Sequence, residues 1–338
     1  MSQLRARILG TGSYVPPRVV TNEDLTKIMD TTDEWIVQRT GIRERHWVEG
    51  PTTTSDLGME AAGRAMAAAG VTKEEIDMIF FATLSPDYEF PGTAAFFQAK
   101  LGVVGIPAID VRQQCTGFLH TMAFADQFIR TGFARKVLVI GAEIHSKGLD
   151  VSTRGRDLAV LFGDAAGAAV IGATEVNDPR RDPHIFSTHI HMDGRFAREL
   201  WAQAPSQAYD GPRITHEILD RGEHFPRMNG RTVFMHAVKK MPEAVLEALD
   251  KNGMTLDDVD LFIFHQANLR INEAVTRELG VPPEKVFNTI HRFGNTTAAT
   301  IPLGLDEAVK AGLLKPGMLV SFAAFGSGFT WGSALVRW

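Results

Sequence analysis

The chain of 338 residues repeats itself once, and this constrains its architecture more than any other feature. Residues 71–82 match residues 254–265 at an offset of 183, and each stretch follows a glycine, Gly70 and Gly253. Residues 115–132 match residues 295–312 at an offset of 180. An apolar run follows each, Val137-Leu138-Val139 and Met318-Leu319-Val320. Phe162-Gly163-Asp164 echoes Phe325-Gly326-Ser327 at a shorter offset, the first half carrying extra residues. A repeat this long is one whole half of an α/β protein, not a solenoid unit. It predicts two pseudo-symmetric halves, residues 1–176 and 184–338, with the turn-rich Asn177-Asp178-Pro179-Arg180-Arg181-Asp182-Pro183 between them.

Local patterns fill in the halves. Apolar runs at 76–83 and 136–141 read as buried strands, and the helical pattern at 53–69 places Leu57, Ala61, Ala62, Ala65 and Met66 on one face. Their alternation predicts a mainly parallel sheet. Thr21-Asn22-Glu23-Asp24-Leu25 reads as a capped helix start. Gly10-Thr11-Gly12 lacks the third glycine of a dinucleotide loop and two prolines follow, so that reading is rejected. The small residues of 162–170 permit close backbone packing. In the second half, 185–191 reads as a strand, 196–227 as an irregular charged excursion or lid, and 233–248 as a long amphipathic helix.

Composition narrows the function. A net charge of −5 argues against general nucleic-acid binding, and no apolar run is long enough to span a membrane. The single cysteine excludes an internal disulfide and any thiolate zinc site needing two cysteines from one chain, and it fits a reducing cytoplasm. His189 and His191 share one strand face and read as surface histidines rather than a metal pair.

That cysteine, Cys115, stands where an apolar strand passes into a buried helix marked by Phe118, Met122, Ala125 and Phe128. A helix N-terminus favours a thiolate and predicts a lowered thiol pKa. The bland alternative is an inert buried thiol. The repeat separates the two, because it makes Asn295 the counterpart of Cys115 and sets His265 at the end of an equivalent strand. In parallel sheets, sites gather at the carboxyl ends of strands. A cysteine, a histidine and an asparagine can therefore converge between the halves.

Longer motifs now become recognisable. Cys115-Thr116-Gly117-Phe118, His265-Gln266-Ala267-Asn268-Leu269-Arg270-Ile271 and Gly294-Asn295-Thr296-Thr297-Ala298-Ala299-Thr300-Ile301-Pro302 resemble the β-ketoacyl-ACP synthase III (3-oxoacyl-ACP synthase III) family of the thiolase superfamily. So do residues 31–45 and 325–334, and the likeness spans nearly the whole chain, weakest at 196–227. The resemblance implies a five-layer αβαβα thiolase-like fold and a homodimer. It implies that acyl-CoA acylates Cys115, and that decarboxylative Claisen condensation with malonyl-ACP then gives 3-oxoacyl-ACP. His265 and Asn295 would hydrogen-bond the malonyl thioester carbonyl, and backbone N–H groups including that of Cys115 would hold the acyl-transfer oxyanion. Trp35 would stack on the CoA adenine, with Arg39 and Arg156 near it. Asn268 would contact the pantetheine arm and Phe234 the CoA or substrate. Arg270 would meet acyl carrier protein, and Phe90 would reach across the dimer to close the partner's acyl pocket. No metal or redox cofactor is implied, since the CoA thioester is itself a substrate.

Three departures from the family pattern bear on the acyl substrate: Gln113 and Gln114 before the cysteine, His291-Arg292-Phe293 before Gly294, and Arg231 where an asparagine is common. Other readings use the same residues. A synthase III-like acyltransferase or a head-to-head acyl-CoA condensing enzyme would keep Cys115 and change the acceptor. A non-catalytic acyl-binding protein would be expected to lose the nucleophile. Thiolases need a second catalytic cysteine, elongating synthases use two histidines, and papain-like hydrolases carry a different cysteine motif.

Overall fold

The computed structural model describes residues 3–338. In the first half, β1 (Gln3–Tyr14) leads to a short ribbon, β2 (Val19–Thr21) paired with β3 (Glu44–His46), which encloses α1 (Asn22–Thr26) and α2 (Asp33–Thr40). There follow α3 (Thr54–Ala69), β4 (Met78–Ala82), α4 (Thr93–Leu101), β5 (Ala108–Val111), α5 (Gly117–Arg130), β6 (Lys136–Glu143), α6 (Arg156–Ala159) and β7 (Ala165–Val176). The second half begins with β8 (His184–Met192), β9 (Leu200–Ala202), α7 (His216–Asp220), β10 (Pro226–Met228) and α8 (Gly230–Lys251). It continues with β11 (Leu261–Phe264), α9 (Leu269–Leu279), α10 (Ile290–Phe293), α11 (Thr300–Lys310), β12 (Leu319–Gly326) and β13 (Thr330–Arg337).

Two sheets result, ordered β1-β7-β6-β4-β5 and β8-β13-β12-β11. Neither is mainly parallel, which corrects the expectation from strand–helix alternation. Strand β4 is parallel to β5 and β6, and β11 to β12, while β7 and β13 run antiparallel to both of their neighbours. The physical reason is plainest at β12 and β13, which only three residues connect; so short a link makes a hairpin and not a crossover. The fifth strand of the second sheet is reduced to one bridge, Phe262 with Val286, where Ile79 pairs with Ala108 in the first.

Helices α5 and α11 lie between the sheets, so both faces of each meet strands. This explains why α5 is apolar nearly all round. Phe118, Met122, Ile301 and Leu305 share one core with Phe80 and Val139 of the first sheet and Val320 and Phe322 of the second. Helices α3 and α4 cover the outer face of the first sheet, α8 and α9 that of the second. The layers are therefore αβαβα. Gly12 serves this packing: a Cβ there would lie 2.4 Å from the Ala61 carbonyl oxygen of α3. In β7, a Cβ at Gly167 would lie 2.7 Å from the backbone nitrogen of Leu303 in α11.

The excursion is more ordered than its composition suggests, since β9 pairs antiparallel with β10. The Thr21 cap is a full capping box with Asp24. No helix among the described residues is long and apolar enough to cross a membrane.

The halves are also joined by polar contacts. Buried Asp306 of α11 accepts hydrogen bonds from Thr11 Oγ1 (3.0 Å) and Ser13 Oγ (2.5 Å) of β1, and pairs with Lys310 at 2.7 Å. Asp306→Ala leaves two buried hydroxyls without their acceptor, while the exposed Lys310 keeps Glu307 at 3.2 Å. It is expected to lower unfolding free energy by about 2–4 kcal/mol in denaturant titration.

Candidate active site

Cys115 sits in a 3-10 turn, Gln114–Thr116, that precedes α5. Gln114 has φ of 43°, in the left-handed region that non-glycine residues seldom occupy. This kink and the contacts of Thr116 Oγ1 with the Gln113 carbonyl and with Thr330 Oγ1 (both 2.9 Å) set the turn against the end of β12. There Gly326 leaves room for the thiol: a Cβ on it would lie 2.7 Å from the Cys115 Cβ and 3.2 Å from Sγ. The backbone N–H groups of Ser327 and of Cys115 itself lie near enough to Sγ to favour its anion. N–H groups beside Sγ are close to where the oxygen of a carbonyl attacked by the thiol would sit, which is where an oxyanion hole is needed.

The thiol is not acidified, contrary to the helix-terminus argument. Burial pushes Cys115 up to about 12, the charge of Glu143 pushes the same way, and the two N–H groups only partly oppose them. Desolvation outweighs the dipole of a helix that begins after the cysteine's own turn. Glu143, at the end of β6, is itself raised to about 7 by burial, against hydrogen bonds from Ser85 Oγ (2.5 Å), Thr83 Oγ1 and the Leu84 and Ser85 N–H groups.

His265 follows β11, and its N–H donates to the Ala323 carbonyl of β12 at 2.8 Å. Burial lowers its pKa to about 3, so the imidazole is neutral. Nδ1 lies 2.7 Å from Thr300 Oγ1, while Nε2 is buried with no partner. Asn295 bridges to Phe162, and its Oδ1 accepts the Thr297 N–H at 2.9 Å. That bond orients the amide, leaving Nδ2 as the free donor. Thr297 has φ of 48° and is held there by His145, whose Nε2 lies 2.7 Å from its hydroxyl; burial lowers the pKa of His145 to about 3. Arg45, wholly buried, donates to the carbonyls of Val20 and Val160 and to Asn22 Oδ1, bracing the chain beside Gly163 and Gly294. The Cys115 turn packs on the turn Thr297–Ala299 after Asn295, and His265 is tied to Thr300 at the head of α11.

The remaining residues form three groups. The guanidinium groups of Arg39 and Arg156 both lie over the Trp35 ring, at 4.6 and 4.9 Å, and Asn268 Nδ2 donates to the Arg39 carbonyl at 2.9 Å. Asn268 also caps α9 through Oδ1. Nearby, Arg270 is exposed and lies 6.0 Å over the Phe234 ring. Phe90 stands apart, 89% exposed. Arg231 is exposed at the start of α8. The excursion reaches the site from the other side: Phe196 stacks on Phe329 at 5.2 Å, and Ser327 Oγ donates to the Leu200 carbonyl.

Sequence reasoning missed four contributors: the Ser327 N–H, Thr300, Glu143 and His145. The echo Phe325-Gly326-Ser327 was the available signal for the first. Thr300 lies inside the asparagine motif. Glu143 and His145 carry no spacing signal; only their place at the carboxyl end of a strand marks them. Among the described residues no group of three metal-ligating side chains occurs. His189 and His191 instead share Glu247, at 3.3 and 2.7 Å.

Two measurements test this geometry. Because the thiol is raised, Cys115 alkylation by iodoacetamide is expected to rise about tenfold per pH unit through pH ~10 with no plateau. Glu143→Gln, which removes a charge, should speed alkylation at fixed pH. A plateau near pH 8 would show a lowered pKa. Gly326→Ala should displace Cys115 and the Ser327 N–H together, lowering acyl transfer to the thiol roughly a hundredfold as read by intact-mass spectrometry.

Comparison with known proteins places the chain in a family. Residues 109–194 match the family profile described as 3-oxoacyl-(acyl-carrier-protein) synthase III, and residues 249–338 match that of its C-terminal part. The β-ketoacyl-(acyl-carrier-protein) synthase III of Xanthomonas campestris pv. campestris is 47% identical over 336 residues, covering 99% of each chain. That of Rhodospirillum centenum is 47% identical over 335 residues, again covering 99% of each. The crystal structure of the 3-oxoacyl-(acyl-carrier-protein) synthase III from Aquifex aeolicus superposes with a TM-score of 0.89 at 41% identity, covering 98% of this chain and 100% of that one. The fold is thus the thiolase fold of these enzymes, and the chain belongs to the β-ketoacyl-ACP synthase III family.

Proposed function

We propose that this enzyme joins an acyl group from acyl-CoA to a two-carbon unit from malonyl-ACP, and that Cys115, His265 and Asn295 carry the chemistry. What supports this most is two sets of groups near one thiol, the N–H groups of Cys115 and Ser327 and the uncharged side chains of His265 and Asn295, which we read as two separate anion-stabilising sites. A simple thioester hydrolase needs only the first.

In the first half-reaction the Cys115 sulfur attacks the acyl-CoA carbonyl, and the N–H pair holds the oxyanion. The C–S bond to CoA breaks, leaving acyl-enzyme and, with the thiol proton, free CoA. In the second, malonyl-ACP binds with its thioester oxygen toward His265 and Asn295. The bond to the carboxylate breaks, carbon dioxide leaves, and the electron pair becomes an enolate that both donors stabilise. The enolate carbon then attacks the Cys115 thioester; the Cys115 thiolate leaves, and 3-oxoacyl-ACP is formed. Activated thioesters drive both steps, so the reading calls for no metal or redox cofactor.

The entrance fits this reading. A CoA adenine would stack at Trp35, with Arg39 and Arg156 matching its anionic phosphates. Asn268 and Phe234 would line the path of the pantetheine arm, and Arg270 offers a cation to an acidic carrier protein. We read the protein as a homodimer of the cytoplasm. The free edge of β5, with Ile109, Tyr88 and Phe90 exposed, is a sheet edge that a second copy would cover. Phe90 would then reach the partner's acyl pocket.

Intact-mass spectrometry after mixing with acyl-CoAs of graded length and branching should show one acyl adduct, absent in Cys115→Ala. His265→Ala and Asn295→Ala should each lower malonyl-ACP decarboxylation by roughly 100–1000-fold while acylation falls far less. Equal loss of both half-reactions, or no adduct from any acyl-CoA, would contradict the assignment.

A further inference from the structure

We propose that His145 is a positioning residue for Asn295, and that it acts through Thr297 to fix which end of the Asn295 amide meets the malonyl thioester; the inference rests on the function proposed above. The backbone of Asn295 is held without His145. Its N–H donates to the Leu161 carbonyl at 2.8 Å, and its carbonyl accepts the Gly163 N–H at 3.1 Å. The direction of its side chain needs a separate device. A terminal amide turns readily about its last torsion, and its ends are opposite in character: Oδ1 accepts and Nδ2 donates. Only Nδ2 can stabilise an enolate oxygen. The Thr297 N–H, 2.9 Å from Oδ1, claims the oxygen and turns the NH2 group the other way.

That N–H stays in place while Thr297 keeps its left-handed φ of 48°, which a β-branched residue seldom adopts. The Thr297 hydroxyl belongs to a residue only 1% exposed, so its partner must come from the protein. That partner is His145 Nε2 at 2.7 Å. A hydroxyl and an imidazole can each donate or accept, so the bond holds Thr297 whichever ring nitrogen bears the proton.

His145 is itself fixed twice. Its N–H donates to Asp164 Oδ1 at 2.7 Å, and its ring packs on Phe162 with centroids 4.5 Å apart. Residues 161–164 therefore anchor the Asn295 backbone and His145 alike, and the imidazole closes the ring on the far side of Asn295. An apolar side chain at 145 would fill the same space against Phe162 and leave the Thr297 hydroxyl without its partner.

His145→Leu removes the bond and keeps most of the bulk; Thr297→Val removes it from the other side. Each should lower kcat for malonyl-ACP decarboxylation roughly 10–100-fold, with KM little changed and Cys115 acylation falling far less. The double variant should lose no more than the larger single loss, because both changes cut one bond. His145→Gln, whose amide reaches the place of Nε2, should retain most of the activity. A crystal structure of His145→Leu should show Thr297 out of the left-handed region and the Asn295 amide turned. Unchanged decarboxylation in a folded Thr297→Val would overturn the proposal, even if the His145 variants failed to fold. So would additive losses in the double variant, equal loss of acylation, or a His145→Leu structure with Thr297 and Asn295 unmoved. A wild type that acylates Cys115 but never decarboxylates malonyl-ACP would overturn the malonyl-ACP acceptor instead, and the crystal structure would still decide the positioning.

Discussion

The active site exists because two helix starts from opposite halves touch. Helices α5 and α11 share one central layer, and their leading turns meet with almost no side chain between them. A Cβ at Gly117 would lie 3.3 Å from the Ala298 Cβ, and one at Gly141 would lie 2.3 Å from the Ala298 carbonyl oxygen. Gly326 performs the same service for Cys115 from β12. Packing this close is possible only where glycine and alanine face one another. It brings the cysteine of one half and the asparagine of the other to a common centre, and the surrounding sheets exclude water from it.

Exclusion of water sets the chemistry. Burial keeps Cys115 a thiol and His265 and His145 neutral, so the centre presents uncharged groups. Hydrogen bonds from such groups are strong where the dielectric is low, and each can be aimed in advance. The aiming is visible. The left-handed turns at Gln114 and Thr297 direct Cys115 and Asn295, each at an energetic cost that the packed surroundings sustain. Glu143 is the one acidic group whose charge reaches the thiol, and its own raised pKa makes that influence depend on pH near neutrality.

Much of this was legible in the sequence because it is written twice. The repeat at 71–82 and 254–265 appears as the matched strands β4 and β11, and that at 115–132 and 295–312 as α5 and α11. A period of that length survives even where single elements are ambiguous. Strand direction was not legible: an apolar run such as Val137-Leu138-Val139 reads the same whichever way its neighbour points. The thiol pKa was misread for a related reason. A helix dipole is local and visible in sequence, whereas desolvation of Cys115 comes from Gly326 and the far half of the chain. The Ser327 N–H, Thr300 and His145 act through backbone direction or through a neighbour, which no residue pattern encodes. Trp35, Arg39 and Arg156 do stand together, though nothing in their separate motifs set both cations over one ring.

The central claim is that one thiol serves both half-reactions. Enzyme acylated with a labelled acyl-CoA, freed of CoA and then mixed with malonyl-ACP, tests it directly. Each acyl group should leave Cys115 as 3-oxoacyl-ACP with release of one carbon dioxide. Label recovered as free acid, or retained on the enzyme while malonyl-ACP is consumed, would contradict it.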